Sequence, residues 1–454
     1  MFLSDIVATS EHVGATRSRL AKIDALASCL RRLTLEEIEI GVAFLSGVTL
    51  QGKLGIGYAT LRDATSPGAH AAILTLKEVD GALSQLAATL GAGSNTQRRQ
   101  LLSELFARAT AVEQQFLVRL LIGELRQGAL EGIMIDAVAK AADLPTDALR
   151  RATMLAGTLA PVAKAALSGG LAGLAQFPLR LFSPIQPMLA QPAEDIAAAM
   201  AQFGEAALDW KLDGARVQVH KFADEVRVFT RSLKEVTAAV PEIVEVTRDL
   251  PARALILDGE AIALKPDGAP QPFQVTMRRF GRKLDVHAMR AELPISVFFF
   301  DCLKLDDDDL IDRPARERAT TMDTILPASL IVPRIVTSEV KTAQDFFDAA
   351  LRAGHEGLMA KSLSAPYDAG SRGASWLKVK QAATLDLVIL AVEWGNGRRQ
   401  GWLSNLHLGA RDSVPMPCSH GRRENCWVWK FRATNILSSC APNSWSRSHS
   451  TICK

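Results

Sequence analysis

Residues 209–222 read DWKLDGARVQVHKF. The second half alternates, Val217 and Val219 against Arg216, Gln218 and His220, as a strand with one buried face does. The first half holds a lysine, an acid two residues on, a glycine, and an arginine five residues after the lysine. Outward from it, EVRVFTR (225–231), ALILDGEAIAL (254–264), ISVFFFDCLKL (295–305) and LDLVILAVEW (385–394) alternate or run continuously apolar between Gly, Asp or Pro. They read as strands. EVTAAVPEIVEVTRDL (235–250) and TAQDFFDAALRAG (342–354) have helical spacing. Residues 193–383 are therefore expected to form an α+β domain.

The chain ahead of this domain has a different texture. Residues 1–175 are rich in Ala and Leu, and in AVEQQFLVRLLIGELRQG (111–128) the residues Phe116, Leu117, Leu120, Leu121 and Leu125 recur at helical spacing. Gly128 is the expected stop for that helix. LEGIMIDAVAKAADLPTDALRRATMLAG (130–157) is broken at Pro145, with Thr146 placed to cap the next helix. An all-helical N-terminal domain follows. FPLRLFSPIQPMLAQP (177–192) has four prolines and little periodicity, so 176–192 is expected to be an extended connector.

The C-terminal region begins as a β domain over 384–412 and then changes abruptly. Residues 413–454 contain four of the six cysteines, three of the seven tryptophans and eight serines, with no strand or helix period. Cys418, Cys426, Cys440 and Cys453 lack the close pairs of a zinc site. The tail is expected to be poorly ordered.

Global charge says little about partners. The net charge of +3 comes from this tail, which holds six Lys/Arg and one acid; residues 1–412 have 46 basic and 48 acidic residues. A nucleic-acid surface would have to be a local patch. The first twenty residues include Asp5 and Glu11 without a long apolar run, against a secretory signal. No run approaches the roughly 18 apolar residues of a membrane span. Six cysteines in 454 residues suit a reducing cytoplasm.

An ordered series follows the lysine motif: Arg231 in FTRSLKEVT, Glu260 in LDGEAIA, Phe300 and Asp301 in FFFDCL, Glu356 and Lys361 in EGLMAK, Arg372 in AGSRG, and Lys378 and Lys380 in WLKVK. Taken singly, each charge reads as a surface ion pair and Phe300 as a core residue. Together, in this order, they resemble the covalent nucleotidyltransferases, and most closely the ATP-dependent DNA ligases of bacterial and archaeal type. The resemblance covers about residues 1–412, with its motifs over about 205–385.

The resemblance implies three domains: an all-α DNA-binding domain, the α+β adenylation domain, and a β domain of the OB-fold kind, incomplete here. It implies ATP and Mg²⁺, with nicked duplex DNA as partner, and a monomer is expected. Lys211 is implied as the nucleophile that takes up AMP as a phosphoramidate. A lysine attacks only as the neutral amine, so such a site needs nearby cations or burial. Asp209 is implied on the adenine side, Phe300 as the adenine-stacking face, and Arg216 and Arg231 at phosphate or ribose oxygens. Glu260 and Glu356 are implied as Mg²⁺ or ribose ligands, and Arg372, Lys378 and Lys380 as neutralising the phosphates.

RNA ligases and capping enzymes share the lysine motif, but the long helical region favours a DNA ligase. A nick-binding protein without turnover is the alternative from another class. The family continues beyond LHLGARD with more OB-fold and a short basic motif that orients pyrophosphate. Nothing in 413–454 resembles it, which suggests a frameshift near residue 412 and impaired self-adenylation.

Overall fold

Ala- and Leu-rich stretches with three- and four-residue spacing do become helices: Leu3–Ala15, Arg19–Leu30, Ile38–Leu45, Leu76–Ala88, Ser94–Arg108, Ala111–Leu121, Glu131–Ala142, Thr146–Ala156 and Leu159–Leu174. Thr75 and Thr110 cap two of them, each with a glutamate three residues on that closes a capping box. Two boundaries differ from expectation. The helix expected to reach Gly128 ends at Leu121, because Gly123 turns the chain at φ +72° and the Gly123 and Glu124 amides fold back onto the Leu120 and Arg119 carbonyls. Thr146 is the first helical residue rather than the cap, and Pro145 holds the cap position without a side-chain bond.

The computed structural model describes residues 1–91, 93–125, 127–128, 131–280, 285–368, 374–381, 387–395, 399, 401–410 and 430–434. The strands are β1 (Gln191–Pro192), β2 (Ala206–Trp210), β3 (Ala215–Phe222), β4 (Glu225–Thr230), β5 (Ala254–Ala263), β6 (Ile295–Leu305), β7 (Asp308–Asp309), β8 (Arg334–Thr337), β9 (Gly357–Ser362), β10 (Trp376–Lys380), β11 (Val388–Trp394), β12 (Leu403–Ala410) and β13 (Lys430–Thr434). Met1–Leu54 with Pro67–Gln381 forms one unit, and Gly55–Ser66 with Ala382–Lys454 another. No described helix is long and apolar enough to cross a membrane.

Two five-stranded sheets make the α/β part of the first unit. One has the order β4-β3-β5-β6-β7, and the other β1-β10-β9-β2-β8, antiparallel except for β1 beside β10. Val217, Val219, Leu255, Leu257 and Phe299 of the first sheet pack with Ile243 and Met322 from helices Pro241–Arg248 and Ala315–Ile325. Leu208, Leu358, Ala360, Leu377 and Val379 of the second pack with Met200 and Phe347, from helices Ile196–Phe203 and Val340–Arg352. The sequence reading found the first sheet and missed most of the second. Its strands are short, and their lysines and acids mask the alternation.

Residues 176–192, expected as an extended connector, carry no helix and are packed against both flanking regions. Ile185 and Met188 are fully buried, in one cluster with Met154 and Leu155 of the helical region and Ile256, Leu303, Tyr367 and Trp376 of the α/β region. Each such burial contributes about 1.5–3 kcal/mol, against the roughly 1–2 kcal/mol that ordering one residue's backbone costs. The polar face of β3 does the rest: Gln218 accepts the Ile185 amide at 2.9 Å and His220 Nδ1 accepts the Phe182 amide at 2.9 Å. The alternation in VQVH is real, but its polar side faces this connector and not solvent.

The second unit holds the helix Tyr58–Ala64 and a three-stranded antiparallel sheet, β11-β12-β13. Strand β13 lies inside the tail in which no strand was expected, and pairs from Leu406↔Thr434 to Ala410↔Lys430. Backbone N–H and C=O groups at a sheet edge pair with a neighbour whatever its side-chain pattern. Cys418, Cys426, Cys440 and Cys453, in which no zinc site was expected, lie outside the described residues.

Candidate active site

Lys211 follows β2 directly. Its amide donates to the Gly357 carbonyl at 2.8 Å and its own carbonyl accepts the Glu356 amide at 3.1 Å, so the KLDG segment is locked to the start of β9. Its ammonium is ion-paired to Glu356, and Lys380 Nζ lies 2.8 Å from the same carboxylate. Burial alone would raise Glu356, but Lys211 and Lys380 outweigh it and hold the carboxyl below its ordinary range.

Two glycines make this approach feasible. A Cβ on Gly214 would stand 2.4 Å from the Ala261 carbonyl oxygen and 3.0 Å from Glu260 Cγ. Gly357 has φ +140°, and a Cβ there would stand 2.2 Å from the Val379 carbonyl oxygen. Glycine is needed at both because backbone meets backbone there.

Period-two alternation gathers the remaining residues of the second sheet. Lys361 is opposite Trp376 and Ala207, and Met359 is opposite Lys378 and Asp209, which places these side chains on one face. Lys361 Nζ lies 2.5 Å from Asp209, 2.9 Å from the Phe300 carbonyl oxygen, and within 4.8 Å of the Phe300 and Trp376 ring centres. Burial raises the Asp209 carboxyl, with Lys361 opposing. Lys378 is half-buried on the same face, and Lys380 is exposed at its end.

The first sheet faces this arrangement with Arg216, Glu260 and Phe300. Arg216 Cζ lies 5.4 Å from the Phe300 ring centre and 5.7 Å from that of Trp376. Its guanidinium grips Asp258 with two bonds of 3.1 and 2.7 Å, donates to the Met188 carbonyl at 2.7 Å, and to the Tyr367 hydroxyl at 3.2 Å. Burial works against its charge, but Asp258 outweighs it and raises the group further. Burial pushes Glu260 up to about 7, against the pull of Arg216 and Lys211. Arg231 is exposed on the turn after β4, at the Arg216 end of the sheet, because Thr230 pairs with Val217. Arg372 lies outside the described residues.

Among the described residues, no three His, Cys, Asp or Glu side chains gather into a ready-made metal site. Mg²⁺ needs fewer, since one or two carboxylates plus substrate phosphates commonly hold it. Glu260 and Glu356 supply hard oxygens on the two facing sheets, so this donor set fits such an ion.

The sequence reading did not single out Asp258, Tyr367 or Trp376. Asp258 was readable in the LDGE stretch beside Glu260. Tyr367 and Trp376 carried no local signal, since only folding brings them against Arg216. In the helical region, Arg98 donates to the Leu54 carbonyl, Arg150 to Asp136 and Arg151 to Asp312.

The family described as ATP dependent DNA ligase domain matches residues 187–380, and DNA ligase N terminus matches 59–139. A protein of Anaeromyxobacter sp. (strain Fw109-5) named "Probable DNA ligase" is 59% identical over 415 residues, or 91% of this chain and 80% of its own length. This chain belongs to the ATP-dependent DNA ligase family. A "Probable DNA ligase" of Sorangium cellulosum (strain So ce56) is 55% identical over 414 residues, with 91% and 78% covered. The solved structure Pmar-Lig_PreS3 shares the ligase's fold at TM-score 0.60 and 17% identity, over 96% of this chain and 88% of that one. The enzyme is a DNA ligase that uses ATP.

Proposed function

We propose that this ligase seals nicks in duplex DNA through AMP held covalently on Lys211. The observation that carries this reading is the setting of Lys211, locked to Gly357 through its backbone and paired with Glu356. The neutral Lys211 amine attacks the α-phosphorus of ATP, forming a P–N bond as the bond to pyrophosphate breaks. The AMP then passes to the 5′-phosphate of the nick, and attack by the 3′-hydroxyl breaks the bond to AMP.

The chain's side chains divide the remaining tasks. Phe300 offers its ring to adenine, with Asp209 and Lys361 at that end of the cleft. Arg216 has five N–H donors, four of which are taken by Asp258, Tyr367 and Met188. One is left for a ribose or phosphate oxygen, so Arg216 acts as a single contact and not as a two-pronged clamp. Lys378 and Lys380 neutralise phosphate charge, with Arg231 and Arg372 as further cations. Glu260 and Glu356 would hold Mg²⁺, which supplies positive charge against the triphosphate.

The composition of 413–454 supports a further part of this reading. Self-adenylation is slow, while sealing of DNA that already carries a 5′-adenylate is faster, because the pyrophosphate-orienting motif implied by the resemblance is not recognisable there. Incubation with labelled ATP, and separately with a pre-adenylylated nick, tests both parts. An AMP adduct on Lys211 and sealing of the nick are expected; an adduct elsewhere overturns the Lys211 assignment. Efficient self-adenylation removes the second part alone.

A further inference from the structure

Tyr367 is buried to 1% exposure between the two sheets, yet it is polar and stands outside the lysine motif series. Its hydroxyl is fully used. It donates to Asp258 Oδ2 at 2.7 Å and accepts from the Met188 amide at 3.1 Å and from Arg216 Nη2 at 3.2 Å. A phenol has one donor and two acceptor sites, so no capacity is left. Its ring packs edge-on against Trp376 at 5.9 Å and lies under the Arg318 guanidinium at 6.0 Å. Arg318 in turn grips Asp301, the residue after Phe300, with bonds of 2.7 and 3.0 Å.

These contacts give the hydroxyl a specific task. Asp258 fixes the plane of the Arg216 guanidinium, and Tyr367 holds the same Oδ2 of Asp258 that Arg216 Nη2 binds. The Met188 residue closes the ring, since its amide binds Tyr367 while its carbonyl accepts Arg216 Nη1 at 2.7 Å. Three groups, from β5, the connector and the chain after β9, thereby set the direction of the one N–H left over on Arg216 of β3. A buried hydroxyl kept only for packing would not need all three partners within one such ring.

We propose that Tyr367 is a positioning residue for nucleotide, which aims Arg216 through Asp258 and Met188. The proposal rests on the reading of Lys211 and Arg216 given above. A guanidinium held in this way loses little freedom when it meets an oxygen of ATP, and without the hydroxyl that freedom returns.

Tyr367→Phe in the full chain keeps the ring and removes the three hydrogen bonds. The apparent KM for ATP in AMP-adduct formation should rise about tenfold, with a smaller change in maximal rate. Asp258→Asn should raise it too, and the double variant should be no worse than the more severe single one, because both act through one guanidinium. An unchanged KM in a folded Tyr367→Phe chain, or additive effects, would overturn the proposal.

A second measurement keeps the hydroxyl at position 367 in case the phenylalanine variant does not fold. The chain has two tyrosines, Tyr58 and Tyr367, and Tyr58 is 37% exposed. In a Tyr58→Phe background, incorporation of 3-fluorotyrosine places a single fluorine signal at Tyr367. The signal should shift when ATP binds, and a signal unmoved by saturating ATP sinks the idea. Lys211→Ala keeps the two readings apart. AMP uptake by that variant would defeat the Lys211 assignment, whereas a normal Lys211 adduct with unaltered ATP dependence in Tyr367→Phe defeats the positioning role alone.

Discussion

Lys211 and Glu356 are paired twice, once through their side chains and once through the Glu356 amide, which donates to the Lys211 carbonyl at 3.1 Å. The pair therefore aligns the amine and the chain carrying it together. Lys211→Ala should abolish the AMP adduct, and Lys211→Arg should be equally dead, because a guanidinium stays protonated. Glu356→Ala should slow adduct formation about a hundredfold, the scale on which a reacting group displaced by an ångström loses rate. Intact-mass spectrometry after incubation with ATP reads all three; an adduct on the alanine variant at 211 would refute the assignment.

Phe300→Ala should weaken ATP binding by about 1–3 kcal/mol, the usual value of a stacked base, and Phe300→Trp should keep much of it. Because Phe300 also packs against the buried cluster around Trp376, the alanine variant should unfold at a lower temperature as well. Calorimetry with ATP, alongside a melting curve, separates the two effects. Lower stability with unchanged ATP affinity would assign Phe300 to the core.

His220 should make the fold acid-sensitive. Burial holds its imidazole down to about 3, from an ordinary value of 6.5. Below about pH 6.5 the unfolded chain binds a proton that the folded chain refuses, so stability falls as pH drops from about 6.5 towards 3. Above that window this group adds no pH dependence. His220→Leu should flatten the melting temperature between about pH 4 and 6.5. It should also cost about 1–3 kcal/mol at neutral pH, since the Phe182 amide loses its acceptor. An equally steep acid limb in the leucine variant would place the sensitivity elsewhere.

Removal of residues 1–175 should not leave the nucleotide chemistry untouched. Met154 and Leu155 fill the same cluster as Met188, Tyr367 and Trp376, and the Gln186 amide donates to the Met154 carbonyl at 3.0 Å. Truncation exposes this cluster beside Arg216, so the shortened chain should melt lower and form the AMP adduct more slowly. Equal melting temperatures for the two chains would show that the helical region is dispensable to the site. Binding to nicked duplex, compared at one ionic strength, should weaken as well.

The sequence by itself determined the helical first region, the sheet built around 215–222, and the order of the lysine, acid, aromatic and basic residues. Hydrophobic periodicity and the residue types demanded by phosphoryl chemistry are local properties, and both survive in a linear reading. Only the tertiary structure decided how those residues are occupied. Arg216 looked free to clamp phosphate, yet Asp258, forty-two residues away, takes two of its five donors, and Tyr367 and Met188 take two more. The polar face of β3 looked solvent-exposed, yet it binds a proline-rich connector whose backbone needs partners once it is buried. Tyr367 had no signal at all, because the ring it closes joins four segments distant in sequence. A pattern along the chain records which face of a strand is apolar; what covers the other face is set by packing.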